Sequence, residues 1–125
     1  MKNAFDRLSA DLPTWEGIKT QPGSFGAVEF HFGHREVGHF HGSSHADLPF
    51  PTAIRTAMVA AGEAEPHHFL PQTGWVSLPL RGPEGEARAL AAFRRNYDLI
   101  VKKKQFAETT ELGWPIAGDG GAASC

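Results

Sequence analysis

The sequence predicts an α+β domain in which a small antiparallel sheet of three or more strands packs against two main helices. Two segments alternate apolar and polar residues at the period of a strand and a third reads as the returning arm of a hairpin, while two others repeat apolar residues at helical spacing, which gives the elements apolar sides. Stacking the elements in two layers buries those sides against one another.

Along the chain, Asn3 to Leu12 sets Phe5, Leu8 and Leu12 on one face of a short helix that stops at Pro13. A connector through Trp15, Pro22 and Gly23 follows. Ala27 to Phe32 alternates, with Val28, Phe30 and Phe32 on one side, and after a turn at Gly33 to Arg35 the segment Glu36 to His41 returns as the second arm of a hairpin. Val37 and Phe40 have opposite parity. Both reach the core only if the strand bulges, and Gly38 is the natural place for it. Residues 42–51, rich in Ser and Pro, read as a loop. A helix opens at Pro51 or Thr52, buries Ile54, Ala57, Met58 and Ala61, and ends at Gly62 as its C-terminal cap. A second loop, 63–74, leads to a third strand, Trp75 to Leu80, which must be at an edge or ending where Pro79 cannot donate to a ladder.

The last predicted helix starts near Pro83 and carries Leu90, Phe93, Tyr97 and Ile100 or Val101 as its apolar stripe. Glu84 and Glu86 near its start, and Arg94, Arg95 and Lys102 to Lys104 toward its end, match the helix dipole. Residues 115–125 are a Gly, Ala and Ser tail expected to be disordered, which leaves one domain over 1–114.

Composition bounds the function. With 125 residues, 41% of them hydrophobic, the chain supports one core. Twelve basic residues against 14 acids give a formal charge of −2, an unfavourable balance for coating a polyanion. No apolar run has the length of a secretory signal or a membrane span, so a cytoplasmic protein with no membrane partner is expected. The single cysteine, Cys125, can close no internal disulfide.

Five motifs occur in order: Gly38-His39-Phe40-His41-Gly42, Asp47-Leu48-Pro49-Phe50-Pro51, Glu65-Pro66-His67-His68-Phe69-Leu70-Pro71, Gly74-Trp75-Val76-Ser77 and Asn96-Tyr97-Asp98-Leu99. Together they resemble a family of small proteins whose domain is called a luciferase domain. The name implies no particular reaction here. More distantly, the order of elements is similar to MmcQ/YjbR-type domains. That likeness implies a frataxin-like (CyaY-like) fold and a DNA partner, which the charge balance disfavours.

All seven histidines fall between His31 and His68. On a strand, His39 and His41 project from the same face and can share a ligand. Asp47 from the next loop, or His67 or His68 from the loop before the third strand, can supply a third group. His39, His41, Asp47, His67 and His68 are therefore the candidate ligand-binding residues, with no catalytic residue, cofactor or metal assigned. The competing reading is structural: a histidine on a half-buried strand bonds a backbone carbonyl, and Asp47 shapes a turn. His31 and His34 belong to a strand edge and a turn, and Trp75 and Tyr97 to the core.

Two functions stay open. The first is a non-catalytic ligand-binding or interaction domain with an unidentified small-molecule or protein partner. The alternative is a His-based enzyme or metal-binding protein using His39 and His41, with two imidazoles and a carboxylate or third imidazole suiting zinc, iron or manganese. In an anisotropy titration with duplex DNA at physiological salt, no sub-micromolar complex should form; a tight, salt-sensitive one would contradict the charge argument.

Overall fold

The computed structural model describes residues 2–67 and 73–111. His68 and the 115–125 tail lie outside them. Helix α1 (Ala4–Asp11) is followed by strands β1 (Ile18–Pro22), β2 (Val28–Phe32), β3 (Arg35–His41) and β4 (His45–Pro49), helix α2 (Thr52–Ala60), strands β5 (Glu65–Pro66) and β6 (Trp75–Pro79), and helix α3 (Gly82–Glu111). The strands form one antiparallel sheet in the order β1-β2-β3-β4-β6-β5. The α+β class stands, with a sheet larger than its three most legible strands.

The bulge in β3 decides what each face of the sheet carries. Phe30 pairs with Gly38 but His31 pairs with Glu36, so the extra residue is Val37, one before the expected Gly38, and side-chain parity changes there. Val37 and Phe40 are both fully buried as a result. The helix-side core consists of Phe30, Val37, Phe40, Ala46, Leu48, Val76 and Leu78 from the sheet, meeting Leu8 and Leu12 near α1 and Ala89, Phe93 and Ile100 of α3. Phe40 is ringed by Phe5, Phe30 and Phe93, with centroids 5.5, 5.6 and 5.1 Å away.

Local signals place the helices. Asn3 and Asp6 form a reciprocal capping box at the start of α1. Arg7 grips Glu86 through two nitrogens, tying α1 to α3. At the end of α2, Gly62 takes φ +76°, and the amides of Gly62 and Glu63 donate to the carbonyls of Val59 and Met58, closing the turn.

Several expectations are corrected. Residues 42–51 contain β4, because His45-Ala46-Asp47-Leu48 alternates between faces and is paired on both sides. The connector before Gly23 contains β1, an edge strand with only Ile18 buried and so without an alternating signal. Glu65 and Pro66 of the second loop form the short β5. Ala57 and Ala61 are exposed, and α2 reaches the core through Met58, with Ile54 and Val59 partly buried. Leu90 is also exposed, since Ala89, Ala92, Phe93, Asn96, Tyr97 and Ile100 form the buried stripe of α3. Finally, α3 continues to Glu111, so Lys102 to Lys104 lie outside its last turn and the helix dipole does not account for them.

Gly38 lets the long helix approach the bulge: a Cβ there would stand 2.7 Å from both Phe93 Cε1 and Leu48 Cγ. A Gly38→Ala variant should lose about 1–3 kcal/mol in denaturant unfolding, the usual cost of overpacking a filled core. An unchanged midpoint would show that the helix can retreat without cost.

Candidate metal centre

The bulge leaves the face opposite the helices with an unusual set of side chains. Strand pairing puts His39 across from Asp47, His41 across from His45, and Asp47 across from Ser77, while β5 leads directly into His67. The sheet thereby gathers four of the histidines around one aspartate.

Asp47 is fully buried. Its Oδ1 accepts a 2.6 Å hydrogen bond from Ser77 Oγ, which fixes the plane of the carboxylate and turns Oδ2 toward the imidazoles. The Nε2 atoms of His41, His67, His39 and His45 stand 3.1, 3.3, 3.5 and 3.6 Å from Oδ2. Despite those distances, Oδ2 is a buried acceptor with no hydrogen bond of good geometry among the described residues. The nitrogens crowd around the oxygen without being aimed at it.

The imidazoles are held from behind. Glu36, brought to this face by the bulge, accepts a 2.5 Å hydrogen bond from His39 Nδ1, so His39 presents Nε2 to the centre. Ser44 Oγ lies 3.1 Å from His45 Nδ1 and does the same for that ring. His39 Nε2 and His41 Nε2 approach to 3.0 Å, too close for two bare lone pairs unless a proton or a cation lies between them. Trp75 walls the cluster, its ring 5.4 Å from that of His39 and 6.1 Å from that of His67.

Without a metal, this crowding moves two pKa values. Burial opposes charge on His39, but Asp47 and Glu36 outweigh it and raise the imidazole from 6.5 to about 9. Burial likewise opposes charge on Asp47; the neighbouring His39, the Ser77 hydrogen bond and the electrostatic pull of His45 and His67 prevail and hold the carboxyl well below the usual range.

Of the sequence-predicted residues, His39, His41, Asp47 and His67 converge, and His68 lies outside the described residues. The ligand atoms of His39, His41 and Asp47 all fall within 4.8 Å of one another, with His45 and His67 approaching from the neighbouring strands. Sequence reasoning missed His45, Glu36, Ser77 and the position of Trp75. Reading 45–49 as a strand would have given His45 the parity of Asp47. Tyr97 belongs to the core as expected, its hydroxyl donating to the Glu16 carbonyl at 2.6 Å. His31 is no bare strand edge: with Glu29 and Glu36 it forms a second set within 4.8 Å, in which Glu29 pairs with His31 and Glu36 already serves His39.

Residues 34–96, half of the chain, match a family model described as a luciferase domain. The chain belongs to that family. The matched segment contains all of the residues from Glu36 to Ser77 that build this centre. No curated protein and no solved structure matches the chain.

The pKa shifts give the metal-free luciferase domain a defined pH response. A group whose pKa rises on folding stabilises fully below its unfolded value and ceases to as pH passes the folded one. The His39 contribution is therefore complete below pH 6.5 and lost toward pH 9. Asp47, shifted down, contributes above its ordinary 3.8 and loses that contribution in acid. The melting temperature of chelator-treated protein should fall between pH 6.5 and 9, and less so in His39→Gln; a flat or rising profile would contradict the assignment.

Proposed function

We propose that this domain is a small ligand-binding protein whose ligand is a divalent transition-metal ion, held first by His39 Nε2, His41 Nε2 and the Asp47 carboxylate. His45 and His67 are the further ligands within reach. The observation that carries this reading is Asp47 Oδ2, a buried anionic oxygen without a good hydrogen bond among the described residues and with four imidazole nitrogens at 3.1–3.6 Å.

The spacing supports it. Ligands about 2.1 Å from one ion lie about 3.0 Å apart at right angles and about 3.4 Å apart at tetrahedral angles. The separation of the His39 and His41 nitrogens, 3.0 Å, and those around Oδ2 fall near these values. Two imidazoles and one carboxylate are a donor set for iron(II), zinc or manganese. Carboxylate support behind a ligating imidazole, as Glu36 supplies to His39, is the usual second layer of such centres. When bound, the ion supplies Lewis acidity beside the half-exposed His41 edge.

Two finer readings accompany this one. A frataxin-like (CyaY-like) arrangement is supported by the first and last helices packing together on one face of an antiparallel sheet. A cytoplasmic location is supported by the lone Cys125, which leaves no internal disulfide to form.

Elemental analysis of protein purified without an affinity tag should find close to one transition-metal ion per chain. In zinc titrations of chelator-treated protein, Glu36→Gln should weaken binding by about 10–100-fold, as expected for loss of a supporting carboxylate. His41→Ala should weaken it at least as much, yet melt near the parent when both are metal-free. A His41→Ala variant that melts several degrees lower and binds zinc like the parent would show the histidines to be structural.

A further inference from the structure

Beyond the histidine cluster, the start of β3 and the second half of α3 enclose a groove made of two adjoining hollows, of about 320 and about 330 Å³, that share His34, Arg35, Ile100 and Lys103. Each has the size of a small-molecule site. Apolar side chains line both hollows, Phe32 and Ile100 in one and Leu99, Ile100, Phe50, Pro51 and Trp75 in the other, interspersed with polar and charged groups.

The charges on this surface are unbalanced. Arg35 and Lys103 face the groove and have no hydrogen-bond or ion-pair partner among the described residues. Lys104 adds a third positive charge, its Nζ 5.3 Å from the centre of the Phe32 ring. Among the described lining residues the one acid is Glu36, already bonded to His39. The nearby Asp98 of α3 is 3.2 Å from Arg94. Lys103 is half-buried and lies before the last turn of its helix, which ends at Glu111, so the dipole does not explain a cation there.

We propose that this groove binds an amphipathic carboxylate, its anionic head on Arg35 and Lys103 and its apolar body along Ile100, Leu99 and Phe50 toward Trp75. Arg35 offers a planar fork that a carboxylate meets with two hydrogen bonds, and Lys103 offers a point charge. The floor removes the apolar body from water while leaving the head at the rim, the arrangement in which a cationic rim discriminates an anion from its neutral analogue. This groove shares Trp75 and Glu36 with the surroundings of the imidazoles but is lined by none of the proposed metal ligands, and binding a carboxylate there requires no metal.

Isothermal titration of chelator-treated protein with naphthalene-2-carboxylate and with dodecanoate below its micelle concentration tests the proposal, with naphthalene-2-methanol as the neutral control. At least one carboxylate should bind with one site per chain, more weakly as salt is raised. The neutral control should bind at least about tenfold more weakly, and Arg35→Ala and Lys103→Ala should each weaken carboxylate binding about tenfold, the loss of one charge-assisted contact. Binding of the aryl acid alone assigns a flat body, and of dodecanoate alone a chain. His41→Ala should leave carboxylate affinity unchanged, which separates this result from the fate of the metal reading. The proposal is overturned if neither acid binds below the millimolar range, if the neutral control binds as tightly, or if removing both cations changes nothing.

Discussion

A carboxylate taken fully out of water is among the most expensive groups a small domain can keep, and it persists only where charge and hydrogen bonds surround it. Asp47 sets that requirement at the middle of the sheet, flanked by β3 on one side and β6 on the other. Ser77 satisfies one oxygen and four imidazoles crowd the other. The composition of this sheet face follows from that demand. Leu or Val at the same position would cover the sheet at no electrostatic cost, so the retention of an acid here indicates a cation as its counterpart, whether a proton shared among imidazoles or a metal ion.

The bulge at Val37 makes the arrangement compatible with a core. An unbroken β3 would have to choose between burying Val37 and burying Phe40, and the imidazoles would face whichever side lost. With one extra residue, Val37 and Phe40 both face the helices, and Glu36, His39 and His41 all face the other way. Gly38 completes the compromise by admitting Phe93 against the backbone. Packing and site thus share one irregularity, and a change that straightened β3 would damage both.

The legible parts of this protein were those with a strong period. The β2–β3 hairpin, its bulge, α1 and the core aromatics of α3 follow from spacing alone, and the parity of His39 and His41 comes with them. The illegible parts have physical reasons. Strand β1 lies at an edge with one buried residue, so nothing in its pattern marks it. Strand β4 is flanked by Ser43, Ser44 and Pro51, whose turn chemistry masks a period-two run, and with it the facing of His45. Glu36 reaches His39 only because the bulge brings residues three apart together, which no regular strand allows. Lys102 to Lys104 suggested a helix end because only the apolar stripe, and not the length of α3, can be read from periodicity.

The central claim is that the imidazoles surrounding Asp47 coordinate an ion and are not simply neutralising a buried acid. X-ray absorption at the zinc K edge of protein loaded with one equivalent of zinc tests this directly. The account predicts several nitrogen or oxygen neighbours at about 2.0–2.1 Å with the multiple-scattering signature of at least two imidazoles, lost in the His39→Ala, His41→Ala double variant. A spectrum of zinc surrounded by water, or one unchanged in that variant, would contradict it.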